Sequence, residues 1–309
     1  MIDRELIESA KKDKKILEKL LKNPGIEARI KAINVLKNIG EENPVFAEEF
    51  IPKLVEFSGD KNKAVREASI SAIALIGESY PEMIKSGVAK FIELLDDKSM
   101  NVRRNAAYAL ALIGEENPQL VEKAVPKLID FLNSKSDIIR SNAACSLALL
   151  AKGNPSLVKG FAQRFVDALE DENEIIKTNS TYILGLIGKE NPELVDKVVP
   201  RLIKFLDENA GLKENAAYAL ALIGIKNPEL IKEAVPKLLA LLKDSREEVR
   251  ATSVCALGAV CSPELLKSMK ELLADSSLVN VYHPEGRVFI ATTVSEIAKE
   301  AKKKLEKSK

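Results

Sequence analysis

His283 is the one histidine of this chain, so a Ser-His-Asp or Cys-His centre would have to be built on it. The same count rules out a histidine-rich metal site. The three cysteines, Cys145, Cys255 and Cys261, form no C-x-x-C pair, and an odd number is not a disulfide framework. They lie in apolar helical stretches and read as reduced core thiols, which suits a reducing compartment. Carboxylates are many but scattered over faces that water solvates. There is no G-x-x-x-x-G-K-[ST] segment and no other glycine-rich nucleotide loop. The expectation is a protein that is not an enzyme and that carries no cofactor and no metal.

What recurs is contact chemistry. A basic residue follows a branched or small apolar one at Arg29, Arg66, Arg103, Arg140, Lys177, Lys213, Arg250 and Arg287, always 37 residues apart except for one step of 36. Two residues after it come Asn105, Asn142, Asn179 and Asn215, with Thr252 next. Asp60, Asp97, Asp207 and Asp244 stand near the turn before it. Basic residue and aspartate read as a pairing network between units. The asparagines read in two ways: a ladder that grips an extended peptide backbone, or a structural ladder whose buried amides are satisfied by main-chain groups.

These residues need a repeating scaffold. VRRNAAYALALIGEENP, IKTNSTYILGLIGKENP and LKENAAYALALIGIKNP are three copies of one segment. A proline recurs at Pro44, Pro81, Pro118, Pro155, Pro192, Pro228 and Pro263. Each unit reads as two helices. Asn-Pro opens the first, with Asn as N-cap and Pro at a position that sacrifices no hydrogen bond. Pro52, Pro126, Pro200 and Pro236 lie inside the first helix and predict a bend in it. The second helix runs to Ile-Gly or its equivalent, where Gly40, Gly77, Gly114, Gly188 and Gly224 are expected to end it as left-handed caps.

A unit of this length, with proline in the first helix, aspartate in the turn and a V-R pair opening the second, resembles the HEAT repeat, and does so from about residue 2 to 300. The fold expected is all-α: a right-handed α-solenoid of about eight two-helix repeats with a period of about 37 residues. Its repeats span 2–40, 44–77, 81–114, 118–151, 155–188, 192–224, 228–260 and 263–305, in one solenoid covering 1–309. HEAT proteins are typically scaffolds, transport receptors, adaptors and chromosome-organising subunits, so the resemblance implies partner binding without naming a partner. HEAT-like metal hydroxylases depend on repeated His-Glu pairs, which this chain lacks. HEAT-like DNA glycosylases need a basic inner wall.

The resemblance also puts the second helices on the concave side. On a helical wheel, Val102, Ala106, Ala109 and Ile113 form the core stripe of the third repeat, and Arg104, Ala107, Tyr108 and Ala111 lie opposite. The same positions elsewhere are mostly small and uncharged, punctuated by Tyr182, Tyr218 and Glu214. A neutral groove with isolated tyrosines fits a docked helix or peptide, with Tyr108, Tyr182, Tyr218, Arg104 and Glu214 as contacts. The other reading is that tight curvature hides the small residues against neighbouring units.

Near the end, LVNVYHPEGRVF over 278–289 breaks the pattern and brings Tyr282, His283 and Glu285 together. It reads as a loop capping the array or as a binding loop. The tail KEAKKKLEKSK reads as a solvated helix end with weak attraction for anions. Basic and acidic residues nearly cancel, 47 against 46, which disfavours nucleic acid as the main partner. No apolar run reaches bilayer length, and a cytoplasmic protein that binds proteins or peptides, with self-association open, is expected.

Overall fold

The computed structural model describes residues 4–260, 262, 265, 270–282 and 289–307. It divides into two compact bodies, Met1–Asn154 and Pro155–Lys309. Both are stacks of helix pairs.

The first body opens with α1 (Arg4–Lys12), α2 (Lys15–Leu21) and α3 (Ile26–Glu42). Three repeats follow. They comprise α4 (Pro44–Glu48), α5 (Ile51–Phe57) and α6 (Lys63–Ser79); α7 (Pro81–Ile84), α8 (Val88–Leu94) and α9 (Met100–Glu116); and α10 (Pro118–Val121), α11 (Ala124–Phe131) and α12 (Asp137–Gly153). The second body contains α13 (Ala162–Ala168) with α14 (Glu174–Glu190), α15 (Val199–Phe205) with α16 (Ala210–Lys226), and α17 (Val235–Leu241) with α18 (Glu247–Val260). A β-hairpin and α19 (Val294–Lys307) complete it.

Six of the long second helices, α3, α6, α9, α12, α14 and α16, are 17 residues each. Within the first body they pack in the order α3–α6–α9–α12, and within the second α14–α16–α18–α19. The core repeats with the sequence period: Leu36, Ile73, Leu110, Leu147, Leu184, Leu220 and Leu257 are all fully buried. Each such side chain contributes about 1.5–3 kcal/mol by leaving water, and every repeat supplies several.

The first helix of each repeat differs from the expectation. It is not a bent continuous helix but a single turn, a break and a short helix. In the second body the opening turns are 3-10, at Pro155–Leu157, Pro192–Leu194 and Pro228–Ala234. Pro52, Pro200 and Pro236 fall in the first turn of the short helix, where a missing N–H breaks no helical bond. Ala89 and Gln163 occupy that place in two repeats, and the break persists there. Proline fits the break; packing imposes it.

The glycines also have another role. The second helices continue past Gly40, Gly77, Gly114, Gly188 and Gly224. They are small because a neighbour presses on them: a Cβ at Gly114 would lie 2.7 Å from Val121 Cγ2, and one at Gly188 2.5 Å from Val195 Cγ2. Asn43 caps as expected, accepting from the Phe46 amide at 3.2 Å. Asn117, Asn191 and Asn227 make no such bond.

The segment expected to be a loop is partly strand. β1 (Leu278–Tyr282) and β2 (Phe289–Thr293) pair antiparallel, with Leu278 opposite Thr293 and Tyr282 opposite Phe289. β1 contacts α18, and Val279 is buried. The alternating apolar residues of this segment follow the two-residue period of a strand. α19 then covers α18 with Val294, Ile297, Ala298 and Ala301.

Candidate protein-binding surface

Side chains at every fourth position of the second helices form an accessible ridge. In the first body it runs Glu67–Ser71–Leu75 on α6, Arg104–Tyr108–Leu112 on α9 and Ser141–Cys145–Leu149 on α12. Arg104 is exposed and the other eight are half-buried. In the second body Thr178, Tyr182, Glu214, Cys255 and Ala259 are half-buried on α14, α16 and α18.

The wall is narrower than the helical wheel implied. Ala107, Ala111, Ala144, Ala148, Ala217 and Ala221 are buried, because adjacent second helices close over them. Leu75, Leu112 and Leu149 belong to the accessible ridge instead, and the four-residue spacing from the tyrosine position is the signal that would have found them. Tyr218 is also buried, only 6% exposed. Its ring stacks on Tyr182 at 5.7 Å between centroids and 22° between planes. Tyr182 therefore presents the pair, with Tyr218 behind it.

Beside this pair, Arg246 reaches Glu214 at 3.3 Å and Glu248 at 3.5 Å. Burial raises the Glu214 pKa above its ordinary value and Glu248 adds to the rise, while Arg246 opposes it. In the first body Glu67 accepts from the Ser99 hydroxyl at 2.5 Å, and this bond holds its carboxyl below the usual range.

Two of the asparagines bond to main-chain carbonyls of their own helices. Asn179 Nδ2 donates to the Ile175 carbonyl at 2.7 Å and Asn215 Nδ2 to the Gly211 carbonyl at 3.0 Å, each four residues back in its own helix. Thr252 Oγ1 donates likewise to Glu248 at 2.9 Å. Asn105 and Asn142 are half-buried on α9 and α12. A short polar side chain in mid-helix reaches its own carbonyls more readily than a neighbouring helix.

The expected charge network does run from repeat to repeat. Arg29 pairs with Asp60 at 2.5 Å, Arg66 with Asp97 at 2.7 Å, Lys213 with Asp244 at 3.0 Å and Arg250 with Asp275 at 2.8 Å. Asp207 belongs to another pair, with Lys237. Arg250's hydrogen bond is the main reason the Asp275 carboxyl is held down to about 2. Burial pushes Asp97 and Asp244 upward. Hydrogen bonds from Arg66 and the Ser99 amide in the first case, and from the Arg246 amide and Lys213 in the second, more than reverse it.

Of the proposed loop site, the Tyr282 backbone ends β1, while His283 and Glu285 lie outside the described residues. Cys261 does too; Cys145 and Cys255 are half-buried. Among the described residues no group of His, Cys, Asp and Glu could hold a metal ion, and no helix is long and apolar enough to cross a membrane. The sequence reading also missed a groove of about 850 Å³ between α13 and α15, bordered by Gly160, Ala162, Val166, Leu194 and Arg201. It opens where Gly160 and Ala162 replace the Lys197 and Val199 of the following repeat.

A HEAT-repeat family model matches residues 51–148 and 195–280, more than half of the chain. A model of non-SMC mitotic condensation complex subunit 1 matches residues 116–217. No curated protein matches. Among solved structures, an engineered protein superposes with a TM-score of 0.66 at 22% identity, over 97% of this chain and 80% of its own. A second engineered protein gives 0.56 at 23% identity, over 68% of this chain and 96% of its own. A computationally designed armadillo repeat protein for modular peptide recognition gives 0.50 at 22% identity, over 79% and 98%. Those likenesses carry the fold, an all-α solenoid. Since the family model spans more than half of the chain, and its matches fall on the helix pairs seen here, the chain belongs to the HEAT-repeat family.

Proposed function

We propose that this chain is a non-enzymatic protein-binding scaffold whose second-helix ridge holds a helix or peptide segment. The observation that carries the reading is the ridge of each body: Tyr108 between Arg104 and Leu112 on α9 in the first, and the Tyr182–Tyr218 stack beside Glu214 in the second. A phenol ring offers a large contact area with few rotatable bonds and a hydroxyl that stays satisfied at a wet interface. The absence of a basic excess argues for protein over nucleic acid.

Pull-down followed by mass spectrometry, with wild type against Tyr108→Ala/Tyr182→Ala, tests this. Tyr218 is left intact because its truncation would open a cavity. Circular dichroism is the check that both proteins fold. The double variant is expected to lose a defined subset of partners; identical partner sets would sink the proposal.

A second reading, a chromosome-associated module, rests on the match of residues 116–217 to the condensation-complex subunit model. Electrophoretic shift with DNA at about 50 mM salt, where charge attraction is strong, decides it. A salt-sensitive shift is expected on that reading, and its absence removes it.

A further inference from the structure

The ridge of the first body has a charged edge that its core pattern does not require. Leu75, Leu112 and Leu149 form its apolar row on α6, α9 and α12. Glu78 follows Leu75 by three residues and Glu116 follows Leu112 by four. Glu41 holds the same place on α3, three residues after Asn38. Residues three or four apart on a helix are surface neighbours, and each side chain leans back towards the N-terminus. The carboxylates therefore border the leucine row. All three are exposed and form no ion pair among the described residues. Glu42, beside Glu41, is by contrast paired with Lys11 at 2.7 Å.

Helix stability argues against these positions. The last turn carries the negative end of the helix dipole, where a carboxylate is unfavourable and a lysine favourable. α3, α6 and α9 have no basic residue in the last turn. α12, α14 and α16 follow the rule, with Lys152, Lys189 and Lys226. Three successive helices of one body thus break a local rule that these others keep, and such breaks collect where a protein has a task other than folding. The opposite edge of the ridge, beyond Tyr108, carries Arg104, exposed and without an ion pair among the described residues.

We infer that the partner of this ridge is an amphipathic helix with lysine or arginine along one flank only. Its apolar stripe lies on the leucine row, and its basic flank meets Glu41, Glu78 and Glu116. The inference rests on the protein-binding reading above and names the chemistry of the partner. Packed helices stand about 8–10 Å apart, and seven residues of a helix rise about 10.5 Å. One heptad of the partner therefore spans one repeat, and its basic residues recur at every seventh position. A helix satisfies its own main chain and can meet this ridge through side chains alone.

The probe is a synthetic helix of about three heptads, with leucine on one stripe, lysine on one flank and glutamine on the other. A second peptide carries glutamate in place of lysine. Fluorescence anisotropy at about 50 mM salt measures the binding of both. The lysine peptide is expected to bind about tenfold more tightly than the glutamate peptide. Glu41→Gln/Glu78→Gln/Glu116→Gln removes three exposed pairs, each worth a factor of about two to five, and should weaken the lysine peptide about tenfold. The unfolding midpoint of this variant should hold or rise, since the dipole no longer meets a charge, so weaker binding is not loss of fold. Equal affinity for the two peptides overturns the inference, as does a lysine peptide that does not bind. Binding lost with Tyr108→Ala but unchanged in the glutamine variant keeps the ridge as a protein-binding surface and overturns the charge assignment. Binding that neither variant changes overturns both.

Discussion

At the scale of single residues, the tight positions are set by neighbouring helices. Gly185 on α14 stands where other repeats carry alanine, such as Ala148 and Ala221. A Cβ there would lie 2.6 Å from Ala219 Cα and 2.8 Å from Ala219 Cβ on α16. The obstacle is main chain, which cannot turn aside as a side-chain tip can. Gly185→Ala gains about 1 kcal/mol in helix propensity but overpacks by about 1–3 kcal/mol, so a net loss of up to about 2 kcal/mol is expected. Gly211→Ala is the control: its Cβ would meet only the Asn209 side-chain oxygen, at 3.8 Å, and stability should hold or rise. Thermal unfolding of the two variants should move in opposite directions. The clash at Gly185 was invisible in the sequence, because a glycine among helix formers does not say which helix approaches it.

At the scale of elements, second helices were legible and first helices were not. A run such as NAAYALALIGEENP carries an unbroken helical period, and α9 and α16 follow it over their full length. The first helices mix two short apolar runs whose junction has no sequence marker beyond the occasional proline. The break occurs at Ala89 and Gln163 as well as at Pro52 and Pro200. Pro200→Ala is therefore expected to leave the break in place and to change stability by less than about 1 kcal/mol, against about 3 kcal/mol for releasing an interior proline. Chemical denaturation measures the difference, and a gain near the larger figure would mean that proline makes the break. The hairpin was missed for a related reason. Its strands are five residues each, too short for the two-residue period to outweigh the surrounding helical pattern.

At the scale of the molecule, the repeated ion pairs tie stability to pH. Asp97, Asp244 and Asp275 all have folded-state pKa values below their ordinary values, Asp275 at about 2. A depressed carboxylate contributes stability that is fully present above its unfolded pKa, near 4, and lost as the pH falls through the folded value. The chain should thus keep its midpoint from pH 7 to about 5 and lose it steeply between about 4 and 2. Asp275→Asn should lower the midpoint at pH 6 and differ little from wild type near pH 2. An equal difference at both pH values would show that the Arg250 pair is not the source.

By itself the sequence determined the repeat, its two helices, the family and the pairing of basic residue with turn aspartate. All of these are written in spacing, and each repeat carries its own copy. The tertiary structure decided which wall residues reach solvent, that Tyr218 lies behind Tyr182, that Asn179 and Asn215 bond within their own helices, and that glycine marks close packing instead of helix ends. Those outcomes depend on how near one helix comes to the next. A distance between helices is fixed jointly by the side chains of two repeats, and no periodicity within one repeat contains it.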